Sequence, residues 1–346
     1  MSRNSDSANI FKKRPFKCLW YGVKLIVSQS DETDNNTFLC TVRDNEGIFY
    51  HCYQRPKDRG VIFYTVSDHL LYFTIYCTVV PKYNVTPLKL VQMPDHLHHS
   101  IIENESGQLG ACLDLVTSLF VREYNAVHGR KGPMFKTPFG RAVKKTSKSI
   151  RTNLTYLDNN PVERQLVSAA EDYRWNYLAY AVSGHPFSPK IVLRNASMPL
   201  RRALKMVKER HSKGRYLTGT LLRRLFDSLP CKLEREQLTD YIISTYSVID
   251  HKAAISHFKS YENELITAHA NTGSEYDIKE QFIGRSDACY VKMTRALLAS
   301  GLVKDIREIF SMTPEQKRKA FRYINVRVEA PGKQIAAFLH IPQKQV

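Results

Sequence analysis

The sequence changes character at Pro189. Before that residue, short alternating and β-branched stretches lie between helical ones, whereas helical spacing dominates from 197 to 322 with almost no strand pattern. A chain of 346 residues is long enough for two domains. We therefore expect an N-terminal extension at 1–36, a mixed domain at 37–188 and an all-helical region at 189–346.

The mixed domain is predicted to contain strand, helix, strand, strand, helix, strand and helix, in that order. This order favours an α+β fold, in which one antiparallel sheet carries helices on one face. The predicted strands are Thr37–Arg43, Pro87–Met93, His96–Ile102 and Gly132–Phe139. The predicted helices run from Ser67 to Val80, from Ser106 to His128 and from Lys144 to Asn160, where Pro161 ends the last one.

The charge of the chain indicates a polyanionic partner. Lys and Arg number 51 against 33 Asp and Glu, which gives a net charge of +18. A protein this basic usually meets nucleic acid or an anionic membrane, although a merely basic soluble protein is the alternative. The longest apolar run, Leu70–Val80, is too short to span a bilayer. We therefore expect nucleic acid as the partner, no membrane, and a cytoplasmic location without a signal peptide.

The cysteines indicate neither a disulfide framework nor a zinc ribbon. The sequence contains 7 of them, an odd number, and no two form a CxxC pair. This usage is typical of reduced thiols in a cytoplasmic protein.

Two histidines form a candidate metal pair. His96 and His98 are two residues apart on a predicted strand, so their side chains project from the same face. Neutral imidazoles are common ligands of divalent metals. The alternative is two surface histidines on an edge strand, and the neighbouring His99 fits that alternative. On a strand, His99 points to the other face.

Tyr156 and Asn160 form a second candidate pair. They are four residues apart on a predicted helix and therefore share a face. A tyrosine oxygen can attack a phosphodiester, and a carboxamide oxygen can complete a metal site. The alternative is a half-buried tyrosine followed by an asparagine at the helix C-terminus.

Cationic residues precede Tyr156 at intervals of about three or four positions, with no acid among them. On one helix they would form a cationic face for a DNA backbone, the alternative being an ordinary solvated face. These residues are Arg141, Lys144, Lys145, Lys148 and Arg151.

A second cationic segment lies in the helical region. Residues 194–215 contain eight Lys and Arg but only one acid, Glu209. We expect an auxiliary DNA-binding surface here, with a solvated helix as the alternative. The candidate residues are Arg201, Arg202, Lys205 and Lys208.

Four ordered segments resemble the REP-associated tyrosine transposases, a branch of the HUH single-tyrosine transposases. Met93–His98 resembles their MPNHxH signature, although Asp95 replaces the usual Asn. Tyr156–Val162 resembles their helix with a catalytic Tyr followed by Asn-Pro-Val. The stretches 120–135 and 171–175 resemble a connecting segment and an aromatic ending of the same family.

The resemblance covers about 37–182 and includes departures. His99 stands where the family prefers an apolar residue, and Asn176-Tyr177 replaces a pair of small serines. Residues 1–36 and 190–346 have no counterpart in the minimal family domain.

The resemblance implies an HUH, ferredoxin-like core with Tyr156 as the nucleophile. It also implies that His96, His98 and Asn160 hold Mg²⁺ or Mn²⁺. The expected activity is cleavage of single-stranded or hairpin DNA through a 5′-phosphotyrosine, followed by transfer to another 3′-OH. The expected setting is a bacterial nucleoid, with the protein as a monomer or homodimer.

Two alternatives to this activity stay open. One is a non-catalytic descendant that binds DNA or RNA hairpins, and the other is a relaxase or replication initiator with the same metal pair. The family's order of motifs favours the transposase, and a covalent-adduct assay separates a catalytic protein from a non-catalytic one.

Overall fold

The structure is a computed structural model that describes residues 47–135, 139–270, 283–284 and 286–342. The extension at 1–36 and the predicted strand Thr37–Arg43 lie outside the described residues. The described residues all belong to one compact unit.

Four strands form one antiparallel sheet: β1 Ile48–Gln54, β2 Val85–Met93, β3 His96–Glu103 and β4 Gly140–Lys144. Their order across the sheet is β2-β3-β1-β4. Helix α1, Val66–Val79, connects β1 to β2, and helix α2, Gln108–His128, connects β3 to β4. This succession is the βαββαβ arrangement of ferredoxin-like folds, so the α+β prediction is confirmed.

The predicted strands agree with the structure in one half of the sheet, β2 and β3, and differ in the other half, β1 and β4. The predictions at Pro87–Met93 and His96–Ile102 match β2 and β3. β1 was not predicted, and its place in the sheet comes from pairing with β3 on one side and β4 on the other, contacts that its local sequence does not specify. Residues 136–138 of the predicted strand Gly132–Phe139 lie outside the described residues; within the described part, Phe135 forms an isolated bridge with Pro56, and the strand of this region is β4.

Local hydrogen bonds and glycines set the ends of α1 and α2. Thr65 and Asp68 form a capping box, in which each side chain accepts a hydrogen bond from the other's backbone N–H. The N-cap of α1 is therefore Thr65, two residues before the cap expected at Ser67. α2 begins after Gly107 and ends at Gly129, both with positive φ, which glycine adopts without strain.

Helices cover both faces of the sheet. α1 and α2 cover one face, as expected, and share the main apolar core with Leu90, Leu97 and Ile101. α3, Ser147–Glu163, lies on the opposite face, where Leu154 packs in a cluster with Phe49. The expectation of helices on one face therefore holds for α1 and α2 but not for α3.

The region after Pro189 is helical throughout its described residues, as predicted. Its helices are α4 Met198–Ser212, α5 Gly219–Asp227, α6 Lys232–Tyr246, α7 His251–Ser256, α8 Tyr261–Ala270, α9 Ala288–Ala299, α10 Pro314–Arg327 and α11 Gly332–Phe338. In the described part of the chain, no helix combines the length and apolar character that crossing a membrane requires.

One apolar core crosses the predicted boundary between 188 and 189. Leucines of α4, α5 and α6 are buried in the same cluster as α1, α2 and the sheet. A chain that ends near 188 would expose this face, so we expect it to be insoluble. The leucines concerned are Leu200, Leu204, Leu221, Leu222, Leu225 and Leu238.

A buried ionic cluster joins β2, α3 and α8. Lys89 Nζ lies 2.5 Å from Asp158 Oδ1 and 2.7 Å from Glu264 Oε1, and all three side chains are almost fully buried. Burial and the nearby Glu264 raise the pKa of Asp158 to about 7, although Lys89 lowers it in part. The two carboxylates raise the pKa of Lys89 despite the opposing effect of burial. Lys89 is therefore the cation that keeps two buried carboxylates together.

Replacing Lys89 should strongly destabilise the fold. Lys89→Met leaves Asp158 and Glu264 buried without their cation, which costs about 3–5 kcal/mol of unfolding free energy. Chemical denaturation measures the loss. Lys82→Met, at an exposed lysine, is the matched control and should change stability by less than about 0.5 kcal/mol. Equal losses in the two variants would show that the ionic cluster does not support the packing of α3.

Candidate functional site

The strand β3 presents His96 and His98 on the face that α3 covers. Their ring centroids are 4.8 Å apart with the rings nearly perpendicular, and both side chains are buried. His99 points to the opposite face, where its Nε2 lies 3.0 Å from the hydroxyl of Tyr72. The structure therefore brings His96 and His98 together and separates His99 from them.

Neighbouring side chains engage the Nδ1 atom of each paired histidine. His96 Nδ1 lies 2.5 Å from Asp95 Oδ1, and His98 Nδ1 lies 3.0 Å from His51 Nε2. With Nδ1 engaged in this way, Nε2 is the ring nitrogen that would bind a metal. A partner on the other ring nitrogen fixes both the tautomer and the orientation of a metal-binding histidine.

His51 is a site residue that the sequence analysis missed. It lies on β1, where it pairs with Ser100 of β3, and its ring centroid is 6.0 Å from that of Tyr156. Only the pairing of β1 with β3 brings it to the site. The signal that could have identified His51 from the sequence is a strand prediction for β1.

The electrostatic surroundings favour a neutral His98. Burial, followed by the effects of His96 and Arg55, holds the pKa of His98 well below its usual value. A neutral imidazole is the form that binds a metal. Burial raises the pKa of Asp95, while the nearby Arg55 and Arg164 lower it in part.

Tyr156 and Asn160 lie together on the buried side of α3. Asn160 Nδ2 donates a hydrogen bond of 3.0 Å to the Tyr156 hydroxyl oxygen. The Tyr156 ring meets the His98 ring edge-on, with centroids 5.8 Å apart. The structure therefore places the predicted nucleophile beside the predicted metal pair, although the role of each residue stays a prediction.

Polar and apolar contacts fix α3 at this position. Ser100 Oγ donates a hydrogen bond of 2.7 Å to Asn153 Oδ1, between the middle of β3 and α3. One turn later, Leu157 packs in a cluster with Val91 and Met93 of β2. These contacts, one turn apart, fix the rotation of the helix and thereby direct Tyr156 towards β3.

The donor set is compatible with a divalent metal. Asn160 Oδ1 is buried and accepts no hydrogen bond from any described residue, so it retains its capacity as a ligand. Two imidazoles that bind one ion through Nε2 at about 2.1 Å place their ring centroids roughly 4.6–5.3 Å apart, as His96 and His98 are. Within the described residues, no group of three or more His, Cys, Asp or Glu side chains could hold a metal. A metal here would therefore need the amide oxygen as its third protein ligand.

The predicted cationic face before Tyr156 does not exist as one helical face. α3 begins at Ser147 and extends past Pro161 to Glu163, whereas the predicted helix began at Lys144. Arg141 and Lys144 lie on β4 instead, where Arg141 is exposed and Lys144 is buried. The prediction missed the capping box of Thr146 and Ser149 that starts the helix. Lys145, before the helix, and Lys148 and Arg151 within it remain exposed.

The second cationic segment forms part of the exposed surface of α4. Arg201, Arg202, Lys205 and Lys208 are all exposed on this helix, and its apolar side faces α6 in the main core. Their role in DNA binding stays a prediction.

The helical region also reaches the surroundings of the site. Arg164, just after α3, forms an ion pair of 2.6 Å with Asp287, which precedes α9. Burial, and then the nearby Asp95, raise the pKa of Asp287 to about 7, while Arg164 opposes them. The chain after 189 is therefore linked to the residues beside His96.

The aromatic segment after α3 packs against the edge of the sheet. The Tyr173 hydroxyl donates a hydrogen bond of 2.7 Å to the Gln92 carbonyl on β2. Trp175 stacks on His69 of α1 with ring centroids 4.1 Å apart. These contacts fix the chain that follows Pro161 beside β2.

Comparison with solved structures finds a REP-associated tyrosine transposase bound to a REP hairpin. The match has a TM-score of 0.34 and 16% sequence identity, and it covers 44% of this chain and 86% of that chain. It is a distant likeness. No family model matches the chain, and no curated protein does.

His51 should support metal binding through His98. His51→Phe keeps an aromatic ring but removes the nitrogen that lies 3.0 Å from His98 Nδ1. Loss of such a partner typically weakens metal affinity about 10–100-fold. Calorimetric titration with Mn²⁺ measures the effect, and Tyr53→Phe, two residues along the same strand face, is the control. An unchanged Mn²⁺ affinity in His51→Phe would remove His51 from the site.

Proposed function

We propose that this chain is a metal-dependent HUH-type nuclease and strand transferase that cleaves single-stranded DNA with Tyr156. The observation that carries the proposal is the hydrogen bond of 3.0 Å from Asn160 to the Tyr156 oxygen, beside His96 and His98. A nucleophilic hydroxyl, two histidines and a buried amide oxygen are the groups that this chemistry needs.

The proposed reaction exchanges one phosphoester bond for another. Tyr156 Oη forms a bond to the scissile phosphorus, the phenolic proton leaves, and the bond from phosphorus to the 3′ oxygen breaks. That oxygen takes up a proton and becomes a free 3′-OH, while the 5′ end stays on Tyr156 as a phosphotyrosine. Because the number of phosphoester bonds is unchanged, the 3′-OH of another strand reverses the step without a nucleotide cofactor.

The residues around Tyr156 prepare its oxygen and the substrate phosphate. The N–H donated by Asn160 stabilises negative charge on the Tyr156 oxygen. A Mg²⁺ or Mn²⁺ ion bound by His96, His98 and Asn160 Oδ1 would neutralise charge on the scissile phosphate. Asp95 and His51 are positioning residues, since they hold the two histidines through Nδ1.

The proposed substrate is single-stranded DNA, including strands released from hairpin-forming sequences. The net charge of +18 favours a polyanionic partner. Tyr156 is only 4% exposed, so DNA can reach its hydroxyl only after the residues that cover it move apart. A flexible single strand needs a narrower opening than a duplex does. The hairpin preference comes from the sequence resemblance alone.

Removing the Tyr156 hydroxyl should abolish cleavage without abolishing binding. Tyr156→Phe retains the ring that packs with Val91 and Met93, so the fold should be preserved. With labelled single-stranded DNA and Mn²⁺, the wild-type protein should form a denaturation-resistant adduct and this variant should form none. Tyr173→Phe, in the same apolar cluster, is the control. Normal adduct formation by Tyr156→Phe would exclude Tyr156 as the nucleophile.

The two paired histidines should differ sharply from their neighbour in cleavage assays. His96→Gln and His98→Gln should reduce cleavage at least about 100-fold even at high Mn²⁺, since each removes a metal ligand. His99→Gln keeps a hydrogen-bonding group near Tyr72 on the opposite face and should cleave almost normally. Circular dichroism checks that the three variants fold. If His99→Gln were the inactive variant, the metal site would have to lie elsewhere.

A further inference from the structure

A groove of about 700 Å³ lies beside α4, away from Tyr156. It is formed by α4, by Tyr241 of α6, and by the segment 185–194 that precedes α4. α4 and α6 belong to the apolar core on the α1 face of the sheet, whereas Tyr156 belongs to a cluster on the α3 face. The groove is therefore a separate surface from the candidate cleavage site.

The rim of the groove is strongly cationic. None of its lining residues is acidic, and the nearest acid on α4, Glu209, is 3.9 Å from Lys205 in an exposed pair that contributes little. The Arg201 guanidinium donates hydrogen bonds to the carbonyls of Arg194 and Ala196, which holds the 194–196 turn against α4. The cations on the rim are Lys190, Arg194, Arg201, Lys205 and Lys208.

The floor of the groove is apolar and contains an aromatic ring. Ile191, Leu193, Leu204 and Tyr241 line it together with the cations. Leu193 is 61% exposed, so its side chain is accessible to a bound nucleotide. Phosphate-binding cations around an apolar, aromatic floor are the combination that binds single-stranded nucleic acid, because the backbone meets the cations and the bases meet the floor.

We infer that this groove binds single-stranded DNA as a second site, separate from the Tyr156 site. The concave shape and limited volume suit one or two nucleotides of a flexible strand rather than the width of a duplex. An anionic membrane would meet a broad apolar face, whereas the apolar lining here is four side chains beside five cations. The inference rests on the proposed function only in taking DNA as the polymer.

The salt dependence of DNA binding tests the cationic rim. Lys205→Gln with Lys208→Gln is made in a Tyr156→Phe chain, so that no covalent adduct forms. Fluorescence anisotropy with a mixed-sequence single-stranded oligonucleotide then gives affinity across a range of NaCl concentrations. Losing two phosphate contacts should flatten the slope of log affinity against log salt by about 1.4, since each contact on a single strand contributes about 0.7.

The matched control removes two exposed lysines that do not line the groove. Lys292→Gln with Lys304→Gln changes the net charge by the same amount and should leave the slope unchanged. An equal change in the two double variants, or no change in the groove variant, would overturn the inference. A thermal melt checks that each variant folds.

The apolar floor is tested with oligonucleotides that lack bases. The chain should bind an abasic strand at least about 5-fold more weakly than a normal strand of equal length, and Tyr241→Leu should reduce that difference. Equal binding of the two strands would exclude base contacts in the groove. The same slope is also measured with duplex DNA and with anionic phosphatidylserine vesicles. If the Lys205→Gln, Lys208→Gln variant flattens it for only one of these, the groove binds that other partner and the inference is overturned.

The outcomes also separate this inference from the proposed function. Absence of any adduct with the wild-type chain would refute cleavage by Tyr156 but would not alter the salt slopes. Normal adduct formation together with identical slopes in all variants would refute the groove alone.

Discussion

The packing of α3 against the sheet is the contact on which the candidate site depends. Tyr156 and Asn160 belong to this helix, whereas His96, His98 and His51 belong to strands. The hydrogen bond between Ser100 and Asn153 and the ionic cluster around Lys89 lie on either side of Tyr156 in the sequence of α3. A shift of α3 by one residue would rotate Tyr156 by about 100° and remove it from the histidines.

The helical region after Pro189 stabilises this arrangement instead of forming a separate addition. α8 contributes Glu264 to the ionic cluster, and the residue before α9 contributes Asp287 to the pair with Arg164. On the other face, the leucines of α4 to α6 share one core with α1 and α2. The same region therefore supports both faces of the sheet, and it leaves the basic side of α4 exposed.

Much of the fold could be predicted from the sequence where local patterns decide the structure. β2 and β3 follow from two strand-like stretches on either side of the Pro94-Asp95 turn, and the span of α2 follows from helical spacing and glycine at the helix end. β1 and β4 could not be placed, because β1 is located by its pairing with distant strands and β4 is a short strand paired with β1. The start of α3 was misplaced for a related reason, since Lys144 is a good helix former but is paired with Phe49 in the sheet.

In the candidate site too, local sequence patterns predicted some features, whereas others depend on contacts between distant parts of the chain. The spacing of His96 and His98, and of Tyr156 and Asn160, predicted that each pair shares a face. The hydrogen bond between Tyr156 and Asn160 agrees with this. The positions of His51, Asp287 and Glu264 depend on contacts between residues far apart in the chain, which no local pattern specifies. The groove beside α4 likewise needs the fold, because its cations come from two segments and its aromatic ring from a third.

The central claim is that Tyr156 forms a covalent bond with DNA, and mass spectrometry tests it most directly. The full chain is incubated with single-stranded oligonucleotides and Mn²⁺, digested with nuclease and protease, and searched for peptides that carry a nucleotide on tyrosine. The account predicts a 5′-linked nucleotide on the peptide that contains Tyr156. A nucleotide on any other of the 19 tyrosines, or none on a folded chain with metal bound, would contradict it.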